Sequence, residues 1–468
     1  MEVPPQVIEQ LNRYGQTHVL RWWDELEVTQ QQLFCEQLCS IDFSLIARAA
    51  AATEPSADDD TKDRSSRAEP PRELVRWNPS SAKSPEQQAA AAKGKELLQQ
   101  GKVGAIVVAG GQGTRLGFPK AKGLFPIGPV SGATIFDFLC GQLKALARRY
   151  GKEIPYFVMT SDATHDELVE AFKSRGYFGL DPQHVRFFRQ GHTPAVDRET
   201  GKLLLAEKYS LALSPDGHGG LLDALKNHHL LEEMQSRGLE HIYYHQVDNP
   251  CLKLCDPEFL GHHVLSGSEM STKVVAKASP DEKLGLLVEI DGKTQIIEYS
   301  DMPAEIAAQR NPDGSLRFWA GNTACHLFST EFLTRVAKSE DGLSFHQALK
   351  KVPHIDDRGI PVDPPEPNAW KFEKFIFEAL PLARVALVLE TSREREFNPV
   401  KNESGNDSPD TARAALQRIW RDWFQECGIA VPAETILEVQ PSFALDAEEL
   451  ATRRNLLPPI EGDSLLLK

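Results

Sequence analysis

Nowhere does the chain carry an apolar run approaching the ~20 residues of a membrane span. The start, "MEVPPQVIEQLNRYGQ", lacks the charged-then-apolar order of a secretory signal, so the expected compartment is the cytoplasm. Cysteine is scarce, 7 in 468 residues; the count is odd and the positions scattered, which argues against a disulfide framework and for reduced thiols. Cys35 with Cys39 and Cys251 with Cys255 lack a second Cys/His pair at zinc-like spacing, and no metal is assigned to them. The pairs His228/His229 and His262/His263 likewise have no third ligand at a diagnostic spacing. Positive charge is in deficit: 52 Lys and Arg against 67 Asp and Glu give a formal net charge of -15. That balance disfavours nucleic acid and anionic membrane as bulk partners, so any polyanion must meet a local basic pocket. What is present in quantity is apolar residue, 41%, enough for substantial cores in a chain whose length suggests roughly three domains.

Such a pocket is offered by "AIVVAGGQGTRLGFPKAKG", Ala105 to Gly123, where a strand-like run breaks into glycines followed by Arg115, Lys120 and Lys122. Bare backbone can approach a ligand closely and aim several N–H groups at one anion. No Gly-Lys-Ser/Thr follows, so this is not a P-loop. Three places after Gly113 stands Leu116 where a dinucleotide fingerprint needs glycine. What remains is a loop that brings its own cations to a triphosphate, although glycines that merely turn the chain, with Arg115 solvated, explain the stretch equally well.

Helical spacing of Val19, Leu20, Trp23, Leu26, Leu33 and Leu38 suggests a helical N-terminal scaffold. Residues 53 to 72, polar, charged and Pro-containing, read as a mobile linker or exposed loop, and Ser84 and Pro85 as N-cap and N1 of a helix leading to a strand at 103 to 109. Strands at "YFVMTS", "VRFFRQG" and "HIYYHQVDN" then alternate with helices at "DELVEAFKSRG" and "GGLLDALKNHHLLEEMQSRG". The order implies an α/β fold with a doubly wound, mainly parallel sheet, whose ligands collect at the carboxyl ends of strands. The expected division is a helical region over 1–100, a catalytic domain over 101–390 and a small C-terminal region over 391–468.

Several residues fall at those carboxyl ends. Asp248 emerges after "IYYHQV" and can either hold magnesium beside phosphate oxygens or cap the next turn. "SPDGHGGLLDAL" is a second glycine turn opening a helix, whose amides suit a base or sugar. "GLLVEIDGKTQIIEYS" carries a strong hairpin signal at Asp291 and Gly292, repeated at Asp313 and Gly314. Hairpins after the core would wall a substrate, with Glu298 and Asn322 as hydroxyl partners or, equally, as a solvent-face acid and a turn amide. Phe372, Phe375 and Phe377 are by default core, and Lys401 by default a solvated lysine.

In this order, "VVAGGQGTRLG", "FGL", "FFRQG", "SPDGHGGL", "VDN", "KVVAK", "IIEYS", "AGN" and "EREFNPVKN" resemble the eukaryotic-type UDP-N-acetylhexosamine pyrophosphorylases within the UDP-sugar pyrophosphorylase group. The resemblance covers most of the chain. It implies a Rossmann-like nucleotide-diphospho-sugar transferase fold and a uridylyltransferase that joins UTP to a hexosamine 1-phosphate and releases pyrophosphate. It implies that Arg115 and Lys122 hold the triphosphate, that Asp248 binds magnesium, with manganese as the alternative, and that Lys401 meets the sugar phosphate. Uracil contacts carry over to Gly110, Gly111, Gln190 and Gly217, with Gly113 and His218 in the same loops. Sugar contacts carry over to Gly285, Glu298 and Asn322, with Tyr299, Phe375 and Phe377 near the acetamido group and Lys371 as a further phosphate contact. Two positions leave alternatives open. The family's Pro-Lys-Gly stands here as Ala121, Lys122 and Gly123, with Pro119 and Lys120 two residues earlier, so Lys120 competes with Lys122. His218 replaces the family's usual asparagine, and Gly-His-Gly resembles the UDP-glucose branch, which keeps plain hexose 1-phosphates in contention. "SGAT" at 131 to 134 also lacks the family's basic residues. A non-catalytic nucleotide-sugar sensor and a nicotinamide-dependent oxidoreductase are the readings outside this class.

Overall fold

The run Val103–Val108 is apolar on both faces because both faces are covered, which is the signature of a central strand in a parallel sheet. In the computed structural model, which describes residues 2–44, 46–47, 63–72, 74–77, 83–339, 342–460 and 462–468, that strand sits inside a ten-stranded mixed sheet. In chain order its strands are β1 (Leu74–Val75), β2 (Val103–Val108), β3 (Tyr156–Thr160), β4 (Val185–Arg189), β5 (His241–Gln246), β6 (Met270–Ala276), β7 (Leu286–Ile290), β8 (Lys293–Ile297), β9 (Ala320–Ser329) and β10 (Ala386–Glu390). They lie in the order β1-β10-β6-β9-β5-β2-β3-β4, with the β7–β8 hairpin joined to β9. All neighbours on that path are parallel except β9, which runs antiparallel to both β5 and β6. The sheet is thus mixed and mainly parallel, as the sequence implied.

The chain forms two compact units that are not sequential blocks. One comprises Met1–Arg64, Gln190–Ala224 and Ser339–Glu378; the other, Ser65–Arg189, Leu225–Lys338 and Ala379–Lys468, contains the sheet. The expected cut at residue 391 therefore does not appear in space. The C-terminal helix Pro409–Glu426 packs Leu416 and Trp420 into the sheet's own core, with Trp420 stacked on Phe138 at 6.0 Å.

Residues 53–62 of the expected linker lie outside the described residues. Residues 65–72 are not a linker: Ser65 and Ala68 are buried, and Glu69 exchanges backbone hydrogen bonds of 2.9 and 2.8 Å with Glu289 on β7. Polar composition concealed an edge contact that uses only main-chain groups. The β7–β8 hairpin forms as expected, with Asp291 at φ 51° and Gly292 at φ 75°, the positive-φ pair that a two-residue primed turn demands. At Asp313 and Gly314 the repeat is reduced to one bridge between Arg310 and Leu316. Ser84 caps the helix Pro85–Gln99 through a reciprocal bond with Gln87, as the Ser-Pro start predicts. The single helix expected at 219–238 is two, Leu221–Asn227 and Leu230–Ser236, parted where His229 adopts φ 56°.

The unit without the main sheet buries Val7, Leu11, Phe34, Leu38 and Phe372 together. Its helix Val28–Ser40 turns Gln31, Phe34, Cys35 and Leu38 inward, leaving Leu33, expected on the apolar face, exposed. Among the described residues no helix is long and apolar enough to cross a membrane.

Candidate active site

β2 and β5 run side by side and parallel, with Val108 opposite Gln246, so the glycine loop after one and Asp248 after the other leave the sheet at the same edge. The loop folds back on itself. Gly113 N–H donates to Lys120 O at 2.8 Å and Lys122 N–H to Gly111 O at 3.1 Å, which turns the Lys122 side chain toward the strand ends. A Cβ on Gly113 would stand 2.8 Å from Phe118, so this glycine is required for closure. One on Gly111 would meet nothing within 4 Å among the described residues, while the Gly110 carbonyl accepts the Ser161 hydroxyl at 2.8 Å.

Lys122 Nζ lies 3.7 Å from Asp248 Oδ2, both side chains mostly covered. Lys120 and Arg115 are exposed. Asp248 and Lys401 line one small pocket of about 50 Å³ with Asn249, Asn322 and Phe397. Asp248 O accepts Val400 N–H at 2.8 Å, which ties the segment bearing the carboxylate to the one bearing Lys401. The Lys401 ammonium lies 3.8 Å from Asp407 and 5.8 Å from the Phe397 ring centroid. Among the described residues no group of three or more His, Cys, Asp and Glu side chains is arranged to hold a metal.

Gly285, Glu298 and Asn322 are brought together. Asn322 N–H donates to Gly285 O at 2.9 Å, and a Cβ on Gly285 would stand 3.2 Å from Glu298 Oε1. Asn322 Oδ1 is engaged by Ala324 N–H at 3.0 Å, which leaves its amide N–H groups to donate outward. Tyr299 is exposed next to Glu298.

The remaining candidates belong to the other unit. Gln190 is buried. Gly217 has φ 81°, and a Cβ there would stand 2.5 Å from Lys374 O, so the turn can lie on the strand Ala369–Lys374 only with glycine. His218 stacks on Phe375 at 5.3 Å and lies 5.7 Å from Phe377; its Nδ1 accepts Ile376 N–H at 3.1 Å, which leaves a neutral ring with the proton on Nε2. Burial, and secondarily His346, lowers its pKa to about 4. Phe375 and Phe377 are thus partners of this imidazole, while Phe372 is core. Lys371 lies mid-strand on Ala369–Lys374 and is half-buried.

The model of the UTP–glucose-1-phosphate uridylyltransferase family matches residues 58–410, three quarters of the chain. The chain belongs to that family. The uridylyltransferase is 36% identical to UDP-N-acetylhexosamine pyrophosphorylase-like protein 1 of Xenopus tropicalis, over 93% of this chain and 87% of the relative. It is 35% identical to the UDP-N-acetylglucosamine pyrophosphorylase of Saccharomyces cerevisiae, over 76% of this chain and 77% of that one. The crystal structure of the uridine diphosphate N-acetylglucosamine pyrophosphorylase from Trypanosoma brucei superimposes with a TM-score of 0.83 over 100% of this chain and 98% of that one; at 22% identity it bears on the fold alone.

Two features of the uridylyltransferase escaped sequence reading. Asp216 is buried against Gly220 and Gly191, its Oδ1 has no hydrogen-bond partner among the described residues, and burial together with Asp223 raises its pKa to about 7 against the pull of Lys374. Lys273 is a buried lysine in "KVVAK" that bridges Asp256 and Glu396. A lysine inside an otherwise apolar strand was the available signal, since burial of that ammonium demands partners.

Proposed function

We propose that the chain transfers the uridylyl group of UTP to N-acetylglucosamine 1-phosphate, giving UDP-N-acetylglucosamine and pyrophosphate. The observation that carries the reading is the single carboxylate of Asp248 flanked by the Lys122 ammonium at 3.7 Å and sharing a pocket with Lys401. A phosphate-rich ligand needs cations on both sides of the reacting phosphorus, and a divalent ion needs little protein coordination once phosphate oxygens are present.

A phosphate oxygen of the sugar phosphate forms a bond to the α-phosphorus as the bond from α-phosphorus to the pyrophosphate oxygen breaks. The nucleophile is already an anion, so no proton moves and no general base is needed. Lys122 and Arg115 neutralise the triphosphate and the leaving pyrophosphate, and Lys401 holds the sugar phosphate in line. Asp248 is the residue that would hold magnesium, which when bound supplies charge neutralisation between phosphates. Gly110, Gly111, Gln190 and Gly217 serve the uridine; Glu298, Asn322 and Gly285 serve the sugar.

A second reading, plain hexose 1-phosphate as acceptor, is favoured by His218. With Nδ1 occupied by Ile376 N–H, the imidazole offers one donor, where an asparagine amide offers both donor and acceptor. Pyrophosphate release from UTP, magnesium and, separately, GlcNAc-1-phosphate, GalNAc-1-phosphate, glucose-1-phosphate and galactose-1-phosphate separates these readings. Preference for the acetylated sugars is expected; preference for plain hexoses overturns the acceptor, and silence with all four overturns the transfer.

A further inference from the structure

Two short segments, 248–256 and 393–401, carry Asp248 and Lys401, and one buried ammonium joins them. Lys273 on β6 is 1% exposed; its Nζ lies 2.9 Å from Asp256 Oδ2 and 2.5 Å from Glu396 Oε2, with the Phe259 ring centroid 5.4 Å away. From this triad the main chain leads directly to the pocket. Glu396 O accepts Asn249 Nδ2–H at 2.6 Å, and Asn249 Oδ1 accepts the N–H groups of Cys251 at 3.2 Å and Asn398 at 3.3 Å. Asp248 O accepts Val400 N–H at 2.8 Å. Asp256 Oδ1 meanwhile accepts Glu258 N–H and starts the helix Pro257–Leu265, so the Asp256 arm is anchored in a regular element.

Stability alone is a poor reason for such a triad. Desolvating one cation and two anions costs about as much as their attraction returns, and well-packed apolar side chains often serve as well. What charge adds in a dry site is a fixed distance between groups that the backbone leaves adjustable. Lys253, 3.7 Å from Glu396 Oε1, does not supply it, because its side chain is 60% exposed and hydrated.

We propose that Lys273 is a positioning residue for the uridylyl transfer: through Glu396 and Asp256 it fixes the separation of Asp248 and Lys401, and so the ability of Asp248 to receive a divalent cation together with UTP. This rests on the reading of Asp248 given under Proposed function. Lys273 touches no substrate in this scheme; its effect is transmitted by Asn249 and by the Val400–Asp248 bond.

The full-length protein tests it by binding of Mn2+ with UTP, read by water-proton relaxation, alongside turnover and thermal unfolding. Asp248→Asn sets the scale. Lys273→Met strands two carboxylates and risks the fold, so Glu396→Gln and Asp256→Asn, which keep shape and an acceptor oxygen, carry the experiment. Both are expected to weaken Mn2+–UTP binding about tenfold, as loss of residues supporting a metal ligand does, with kcat reduced and the unfolding midpoint nearly unchanged. Lys253→Met is expected to change none of these. Unaltered Mn2+–UTP binding in both carboxylate variants, with Asp248→Asn impaired, overturns the positioning role and leaves the site reading standing; unaltered binding in Asp248→Asn overturns both.

Discussion

In the unit that contains the sheet, the groups proposed to meet phosphate stay partly in contact with water. Lys122 and Asp248 are mostly but not fully covered, and Lys401 remains more than a third exposed. In the other unit the glycine turn holds titratable groups that burial drives toward neutrality: His218 has its pKa lowered to about 4, and Asp216 has its pKa raised to about 7. The difference matches the roles proposed for the two sets of residues. A triphosphate is bound by charge that it neutralises, whereas a base or a sugar is read by hydrogen bonds, for which a neutral donor or acceptor of fixed tautomer is the better tool.

The sharpest way to break this comparison is to remove charge from the pocket. Asp248→Ala is expected to lower kcat by about a thousandfold while circular dichroism shows a retained fold, because only the group proposed to receive the cation is lost. Lys122→Met is expected to cost about a hundredfold in kcat/KM, and Lys120→Met, which alters an exposed lysine, close to nothing; the reverse ranking would move the phosphate role to Lys120. In the other unit, His218→Asn is expected to leave kcat intact and to shift the preference between acetylated and plain hexose 1-phosphates about tenfold toward the acetylated, as competition assays would show.

The smallest effect is on stability. The carboxyl of Asp216 takes up its proton more readily folded than unfolded, so between about pH 4 and pH 7 the folded chain binds more protons than the unfolded one, and stability falls as pH rises through that window. Asp216→Asn is therefore expected to raise the unfolding midpoint by a few degrees at pH 8 and by little at pH 4. Buried His245 and His263, lowered by burial to about 4 and about 3, act with the opposite sign. Their contribution is present above about pH 6.5 and is lost as pH falls from there toward 4, so acid unfolding monitored by tryptophan fluorescence should begin in that range.

The sequence by itself determined the local elements whose chemistry is short-range. Ser84-Pro85 announced a helix start, Asp291-Gly292 a hairpin, and the unbroken apolar run at Val103–Val108 a strand buried on both faces. The glycine loop and Asp248 were legible for the same reason, since each follows an apolar strand and must appear at a strand end. Only the tertiary structure decided which strand ends adjoin, because the pairing of β2 with β5 joins residues more than a hundred positions apart. It also decided that Lys122 faces Asp248 while Lys120 faces solvent, and that 65–72 is pinned through main-chain groups that side-chain composition does not record. Burial of Lys273, Asp216 and His218 is likewise a property of what surrounds them. Desolvation depends on neighbours from distant parts of the chain, and no periodicity within a segment encodes it.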